Sequence, residues 1–492
     1  MEKQIFSFPV VIAFLPFVLM VLKIWKKSII TNASNNNPPP GPWRLPLIGN
    51  IHQLAGCESH HRLTELGKTH GPVMLLQLGQ VRAVVISSAD TAKLLLKTHE
   101  LHFVGRPSLL AADIMLYNRT DISFAVYGDY WRQMKKITIL ELLSAKRVKS
   151  FKSVVNEEVS NFVKHVYSKA GSPVNLSKKL SLLGNGIIAI TSVGKKFKKQ
   201  EASLRVVENA IRVAGGFSVA DAGVSSTLRR AHREADDMLE EIINERKTNK
   251  TEADNILDVL LDIQKRGNLQ LPLTTDNIKA IILDMFAGAS DTSLVTAEWA
   301  MAEMVKNPSI MKKAQEEVRK VFGEKGDMDD SSGHGELKYL KLVIKETLRL
   351  HPPVALIPRE CGEKSELYGY DIYPKTKVLV NAWAIGRDPN SWNDSENFDP
   401  ERFLDSSIDF KGNNFEFIPF GAGKRICPGI VMAVAIIEPL LAQLLYHFDW
   451  ELPSEAKPES LDMSDTFGLV VKRKIDLILI PTPVSLLHME SK

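Results

Sequence analysis

The chain has 492 residues, 62 of them basic and 58 acidic, for a formal charge of +4. That balance excludes a nucleic-acid binder built on a dense basic surface. Three cysteines, Cys57, Cys361 and Cys427, are too few for a disulfide framework and fit a reducing compartment.

Ile5 to Leu22 runs eighteen residues without a charge and is followed by Lys23, Lys26 and Lys27. This is long enough to cross a bilayer core, and the lysines place the bulk of the chain on the cytosolic side. A cleaved signal peptide fits less well, because the positive charge follows the apolar run and no small-residue cleavage site is clear. Residues 1–27 are therefore expected to be a membrane anchor. Residues 28–42 form a polar linker ending in Pro38-Pro39-Pro40-Gly41-Pro42, a stiff polyproline hinge. With no internal linker or repeat, residues 43–492 are expected to be one large, mainly helical domain.

Val73 to Ser87 holds two β-rich runs around Gly79-Gln80 and reads as a hairpin, with a helix from Ala89 to Thr98. Leu109 to Phe124 is apolar without a clear period. Trp131 and Lys135 stand one helical turn apart on one face. Lys136, Lys146 and Arg147 continue that basic surface, which would attract an acidic partner. Residues 151–250 alternate helical stretches with solvated lysine clusters such as Lys195-Lys196-Phe197-Lys198-Lys199.

Ile278 to Met304 is a long apolar helix containing Gly288-Ala289-Ser290-Asp291-Thr292-Ser293. A glycine among hydroxyl residues there favours a local break in the hydrogen-bond ladder, with room for a water or dioxygen. An ordinary buried helix is the open alternative. Glu346 and Arg349 lie three apart on the next helix face, before His351-Pro352-Pro353 ends it. Arg402, in Pro400-Glu401-Arg402-Phe403, is a third charge matching that pair. Such a triad is structural rather than catalytic.

The densest signal is Phe420-Gly421-Ala422-Gly423-Lys424-Arg425-Ile426-Cys427-Pro428-Gly429. Glycines at 421, 423 and 429 permit unusual backbone conformations or close approaches. A helix starting at Pro428-Gly429 would point its positive end at the Cys427 sulfur and lower its pKa. Arg425 is a fork suited to a carboxylate. A dinucleotide fingerprint fits worse, because Ile426 stands where its third glycine belongs.

This decapeptide resembles the haem-binding loop of the cytochromes P-450. Gly288 to Thr292 resembles that family's oxygen-binding helix, Glu346-x-x-Arg349 with Arg402 its charge triad, and Trp131-x-x-x-Lys135 its propionate-binding helix, with lysine where arginine is usual. The resemblance covers nearly the whole chain and extends to plant microsomal oxidases of sesquiterpenes and casbene-type diterpenes. It implies a mainly α fold with a small β-sheet subdomain, behind a transmembrane helix in the endoplasmic reticulum. It also implies haem b bound through Cys427, with Phe420 and Gly421 in the loop and Arg425, Trp131, Lys135 and Arg359 reaching the propionates. Thr292 and Asp291 would manage protons for dioxygen. The substrate would be a small apolar molecule held largely by shape, with Leu109–Phe124 looping over its pocket and Phe467-Gly468-Leu469 entering as a hairpin tip. Electrons would come from NADPH through a separate reductase, since no flavin or nicotinamide segment is visible.

Two rivals remain on the residues. One is a haem-thiolate enzyme that rearranges or dehydrates peroxides. The other is a membrane-anchored haem binder with impaired turnover, suggested by segments near 189–195 and 221–230 that look several residues short.

Overall fold

A computed structural model describes residues 37–56, 58–196, 221–248, 255–325, 335–453 and 456–484. The expected anchor, most of the linker, Cys57, Lys198 and Lys199 lie outside the described residues. The chain forms two compact units, one of residues 1–104 with 358–381, the other of 105–357 with 382–492.

The smaller unit carries the expected hairpin. Strands β1 (Val73–Leu78) and β2 (Val81–Ile86) pair antiparallel around Gly79, whose positive φ of 59° suits a residue without a Cβ. Strands β3 (Leu356–Glu360) and β4 (Lys377–Asn381) complete a sheet in the order β1-β2-β4-β3, with β2 and β4 parallel. Helix α1 (Ser59–His70) precedes it. The proline stretch is tied down at Pro40, whose carbonyl accepts the Leu75 amide at 2.7 Å. The helix at Ala89 continues as a π-helical turn from Leu94 to Thr98.

The larger unit is helical. Its central helix α5 (Thr275–Lys306) starts in a capping box between Thr274 and Asn277 and is buried along most of its 32 residues. Around it pack α3 (Leu176–Val193), α6 (Lys338–Leu350) and α7 (Ile430–His447). Helix α2 (Asp129–Ile137) precedes α3 in the chain, and α4 (Asp221–Thr248) follows it. Gly184 of α3 sets the closest approach, since a Cβ there would stand 2.5 Å from the Ser290 carbonyl oxygen. Helices α5 and α7 are apolar and long enough to span a membrane, but 78% of the α5 window is buried in the protein, as in a core helix.

Two expectations change. The Leu109–Phe124 segment is not all loop, because Leu110–Met115 is helical, followed by left-handed residues at Tyr117, Asn118 and Arg119. The α5 helix is not broken at Gly288. It stays α-helical, and Ser290 and Thr292 satisfy their hydroxyls within it by donating to the Phe286 and Gly288 carbonyls, each at 2.6 Å. The segment near residue 194, which looked short, closes α3 with a left-handed Gly194 cap, φ 82°, donating to Ile190.

Near the carboxyl end, β5 (Asp465–Thr466) and β6 (Lys472–Arg473) pair antiparallel, which makes Phe467–Val471 the expected hairpin tip.

Candidate active site

The Cys427 loop is shaped by its glycines. Gly421 and Gly423 have φ of 73° and 70°, a region closed to most side chains. Gly429 has an ordinary φ of −91° and serves differently, as the N-cap of α7 whose amide donates to Cys427 Sγ at 3.3 Å. The Cys427 amide in turn donates to the Phe420 carbonyl at 3.0 Å, folding the loop on itself. Phe420 packs edge-on against Phe410, ring centroids 5.4 Å apart.

The expected lowering of the thiol pKa is outweighed. Burial pushes Cys427 up, and the Gly429 amide and the Lys135 charge offset this only in part. The helix end is where the sequence put it, but desolvation is the larger effect.

Above the loop, Arg425 lies against the Trp131 ring at 4.2 Å and donates to the Ala125 carbonyl at 2.6 Å. Trp131 Nε1 donates to the Ile122 carbonyl at 3.0 Å. Lys135 follows on the same face of α2, but its Nζ meets the Ile426 carbonyl at 2.6 Å, next to Cys427. A lysine is a point donor and turns to the nearest strong acceptor.

These cations are crowded. Burial, with repulsion from Arg106, pushes Arg425 down to about 9. Burial, opposed by Cys427 and helped by Arg425 and Arg106, lowers Lys135 to about 8. Arg106 itself falls to about 10, chiefly through burial. Sequence reasoning missed Arg106, because a lone arginine before Pro107 carries no spacing signal. Two buried cations and a half-buried one, beside a half-buried thiol, fit a group that brings carboxylates and a metal together, as haem does.

The turn that receives Trp131 and Arg425 is held by two acids also missed in the sequence. Asp121 Oδ2 accepts the Ser123 and Phe124 amides at 2.9 Å each. Asp284 of α5 accepts the Ile122 and Ser123 amides at 3.1 and 3.2 Å and the Ser123 hydroxyl at 2.6 Å. Burial, reinforced by Asp284, raises Asp121 to about 8, and burial raises Asp284 as well.

Helix α5 presents a window. Ala287, Gly288, Ala289 and Thr292 are accessible although the flanking turns are buried, and nothing lies within 4 Å of where a Gly288 Cβ would stand. The room expected from a helix break comes instead from a missing side chain. Asp291 is buried and pairs through Oδ2 with Lys472 Nζ at 2.8 Å.

The triad is assembled. Glu346 takes both Nε and Nη2 of Arg349 at 2.7 Å and Nε of Arg402 at 2.9 Å. Arg359 lies in the smaller unit, buried on β3, with Nη1 on the Pro358 carbonyl at 3.1 Å.

A helical fold with a cysteine loop capping one helix, and an accessible window in a core helix, has features of the haem-thiolate oxidoreductases. The sequence profile "Cytochrome P450" matches residues 38–479. Cytochrome P450 726A27 of Euphorbia lathyris is 55% identical over 98% of this chain and 99% of its own length. Premnaspirodiene oxygenase of Hyoscyamus muticus is 49% identical over the same shares. A solved zebrafish cytochrome P450, in a structure with progesterone, has a TM-score of 0.76 at 23% identity. It covers 87% of this chain and 100% of its own. The chain belongs to the cytochrome P450 family. It is a haem-dependent monooxygenase that takes electrons from a redox partner and acts on small hydrophobic substrates.

Proposed function

We propose that this chain oxygenates a terpenoid, a sesquiterpene or diterpene, using haem b ligated by Cys427. The haem would supply dioxygen activation and the insertion of one oxygen atom into the substrate. Cys427 is suited to ligation because its sulfur already receives the Gly429 amide at the start of α7. That contact is the observation that carries the assignment. Arg425, Trp131 and Lys135 would hold the propionates, and Arg106 joins them. Lys135 would give up the Ile426 carbonyl for a carboxylate, a stronger acceptor.

Thr292 keeps its oxygen at the window while its hydrogen lies on the Gly288 carbonyl, and rotating the hydroxyl frees that proton. Asp291, one residue before it, would resupply it. The exposed stretch from Ala287 to Ala289 is apolar and would orient a hydrocarbon by shape. The terpenoid class is supported by relatives named for premnaspirodiene and for 5-epiaristolochene, the latter a 1,3-dihydroxylase of Nicotiana tabacum 45% identical over 98% of this chain. The charge-free run of residues 5–22 and its trailing lysines support an anchor in the endoplasmic reticulum membrane. The exposed Lys136 and Lys146 support docking of an NADPH-dependent reductase.

The test is co-expression with reductase and a panel of terpene synthases, with products read by mass spectrometry. An oxygenated terpene is expected from the parent and none from Cys427→Ser, which should also lose the thiolate signature in its reduced carbon monoxide spectrum. A normal spectrum in the serine variant would refute the ligand assignment.

A further inference from the structure

The acid proposed to supply protons is closed to solvent. Its side chain is 4% exposed, while that of Lys472, its partner at 2.8 Å, is 38% exposed. Lys472 belongs to β6, so the ion pair ties helix α5 to the carboxyl-terminal hairpin. The next residue repeats the attachment. Arg473 faces Glu298 at 3.9 Å, two helical turns after Asp291, and lies 5.1 Å over the Trp299 ring. Arg473 also donates to the Asp462 carbonyl at 2.5 Å, fastening the approach to β5. Between the strands, Val470 of the tip packs on Val295 and Trp299.

The two attachments differ in kind. Arg473 is buried and held by a backbone carbonyl and an aromatic face, as a structural clamp is. Lys472 is half in water and reaches a single carboxylate. A sheltered carboxylate is held in one direction by a counter-charge in contact with it. A lysine supplies that charge on a flexible stem, one residue after the tip expected to meet substrate.

We infer that Lys472 is a positioning residue for Asp291, holding its carboxylate aimed, and thereby making proton supply depend on the seating of the 465–473 hairpin. This rests on the assignment of Asp291 to proton supply given above.

The test uses the full-length enzyme with its reductase and four variants: Lys472→Met, Lys472→Arg, Asp291→Asn and the Met/Asn double. Product per NADPH consumed, peroxide released, the reduced carbon monoxide spectrum and hydrogen exchange over residues 463–474 are read for each. Lys472→Met should lower product per NADPH about tenfold, less than the roughly hundredfold of a lost proton donor because Asp291 itself remains, with peroxide rising in step. Its carbon monoxide spectrum should match the parent's, and hairpin amides should exchange about tenfold faster as the attachment is lost. Lys472→Arg should restore both readouts, and the double variant should be no worse than Asp291→Asn alone.

Parent-like coupling in Lys472→Met, beside an uncoupled Asp291→Asn, overturns the Lys472 assignment and leaves that of Asp291 standing. Parent-like coupling in Asp291→Asn overturns both. Full additivity in the double variant, or failure of arginine to restore coupling when the hairpin exchanges normally, overturns the positioning role.

Discussion

Replacing Glu346 by alanine should be among the costliest single changes in the chain. Four donors converge on this carboxylate: Arg349 Nε on Oε2, and Arg349 Nη2, Arg402 Nε and the Asp399 amide on Oε1, at 2.7 to 2.9 Å. The Glu346 and Arg349 side chains have no solvent exposure, and Arg402 has 10%. Alanine would leave two buried guanidinium groups without their counter-charge, a loss of about 3 to 5 kcal/mol. It would also orphan the Asp399 amide, at about 1 to 3 kcal/mol. Arg349 keeps the Gly386, Ser395 and Asn397 carbonyls, which softens the loss, so about 4 kcal/mol is expected. Glutamine keeps an acceptor at the Oε1 position, which serves three of the four donors, but sets an amide against Arg349 Nε. About 2 kcal/mol is expected there.

Urea unfolding of the haem-loaded protein, followed by tryptophan fluorescence and haem absorbance, measures both variants. Trp392, 5.3 Å from the Arg349 guanidinium, reports from beside the triad. An alanine variant within about 0.5 kcal/mol of the parent, the range of ordinary surface substitutions, would refute the triad as a buried structural clamp. A glutamine variant as unstable as alanine would refute the count of donors on Oε1.

Thr292→Ala should keep haem and substrate binding but divert electrons to peroxide, measured as product against NADPH consumed. Parent-like coupling would remove Thr292 from proton handling. Gly184→Ala should cost about 1 to 3 kcal/mol by overpacking, because its Cβ would stand 2.5 Å from the Ser290 carbonyl oxygen and 2.8 Å from Leu294 Cδ2. Gly288→Ala meets nothing and should stabilise α5 by about 0.5 to 1 kcal/mol while weakening substrate binding, read by spectral titration. Asp121, raised to about 8, is protonated in the folded chain where the unfolded chain is ionised. Its contribution is therefore full below about pH 4 and lost as the pH climbs to about 8, and Asp121→Asn should flatten that decline in unfolding free energy. Asp284→Asn should loosen the 121–125 turn and speed haem loss to a haem acceptor, because that turn supplies the carbonyls that receive Trp131 and Arg425.

The sequence made visible what short spacing encodes. Glu346 and Arg349, or Trp131 and Lys135, share a helix face wherever the helix goes, and a Gly-rich loop before an apolar run places Cys427 at a helix start. What stayed hidden depends on partners far along the chain. Lys472 meets Asp291 across 181 residues, Arg425 meets Ala125 across 300, and Gly184 lies on Ser290 only once α3 and α5 have packed. The effect of burial was hidden too. From the letters alone the helix end lowers the Cys427 thiol, while in the fold burial raises it, and burial likewise lowers Arg425, Lys135 and Arg106. A thiol held too high and three cations held too low are opposite perturbations of one site, and a single ligand corrects both. A metal cation at the sulfur draws off its proton, and carboxylates at the other edge keep the guanidinium and ammonium groups charged. Haem carries both, a metal for the sulfur and carboxylates for the cations.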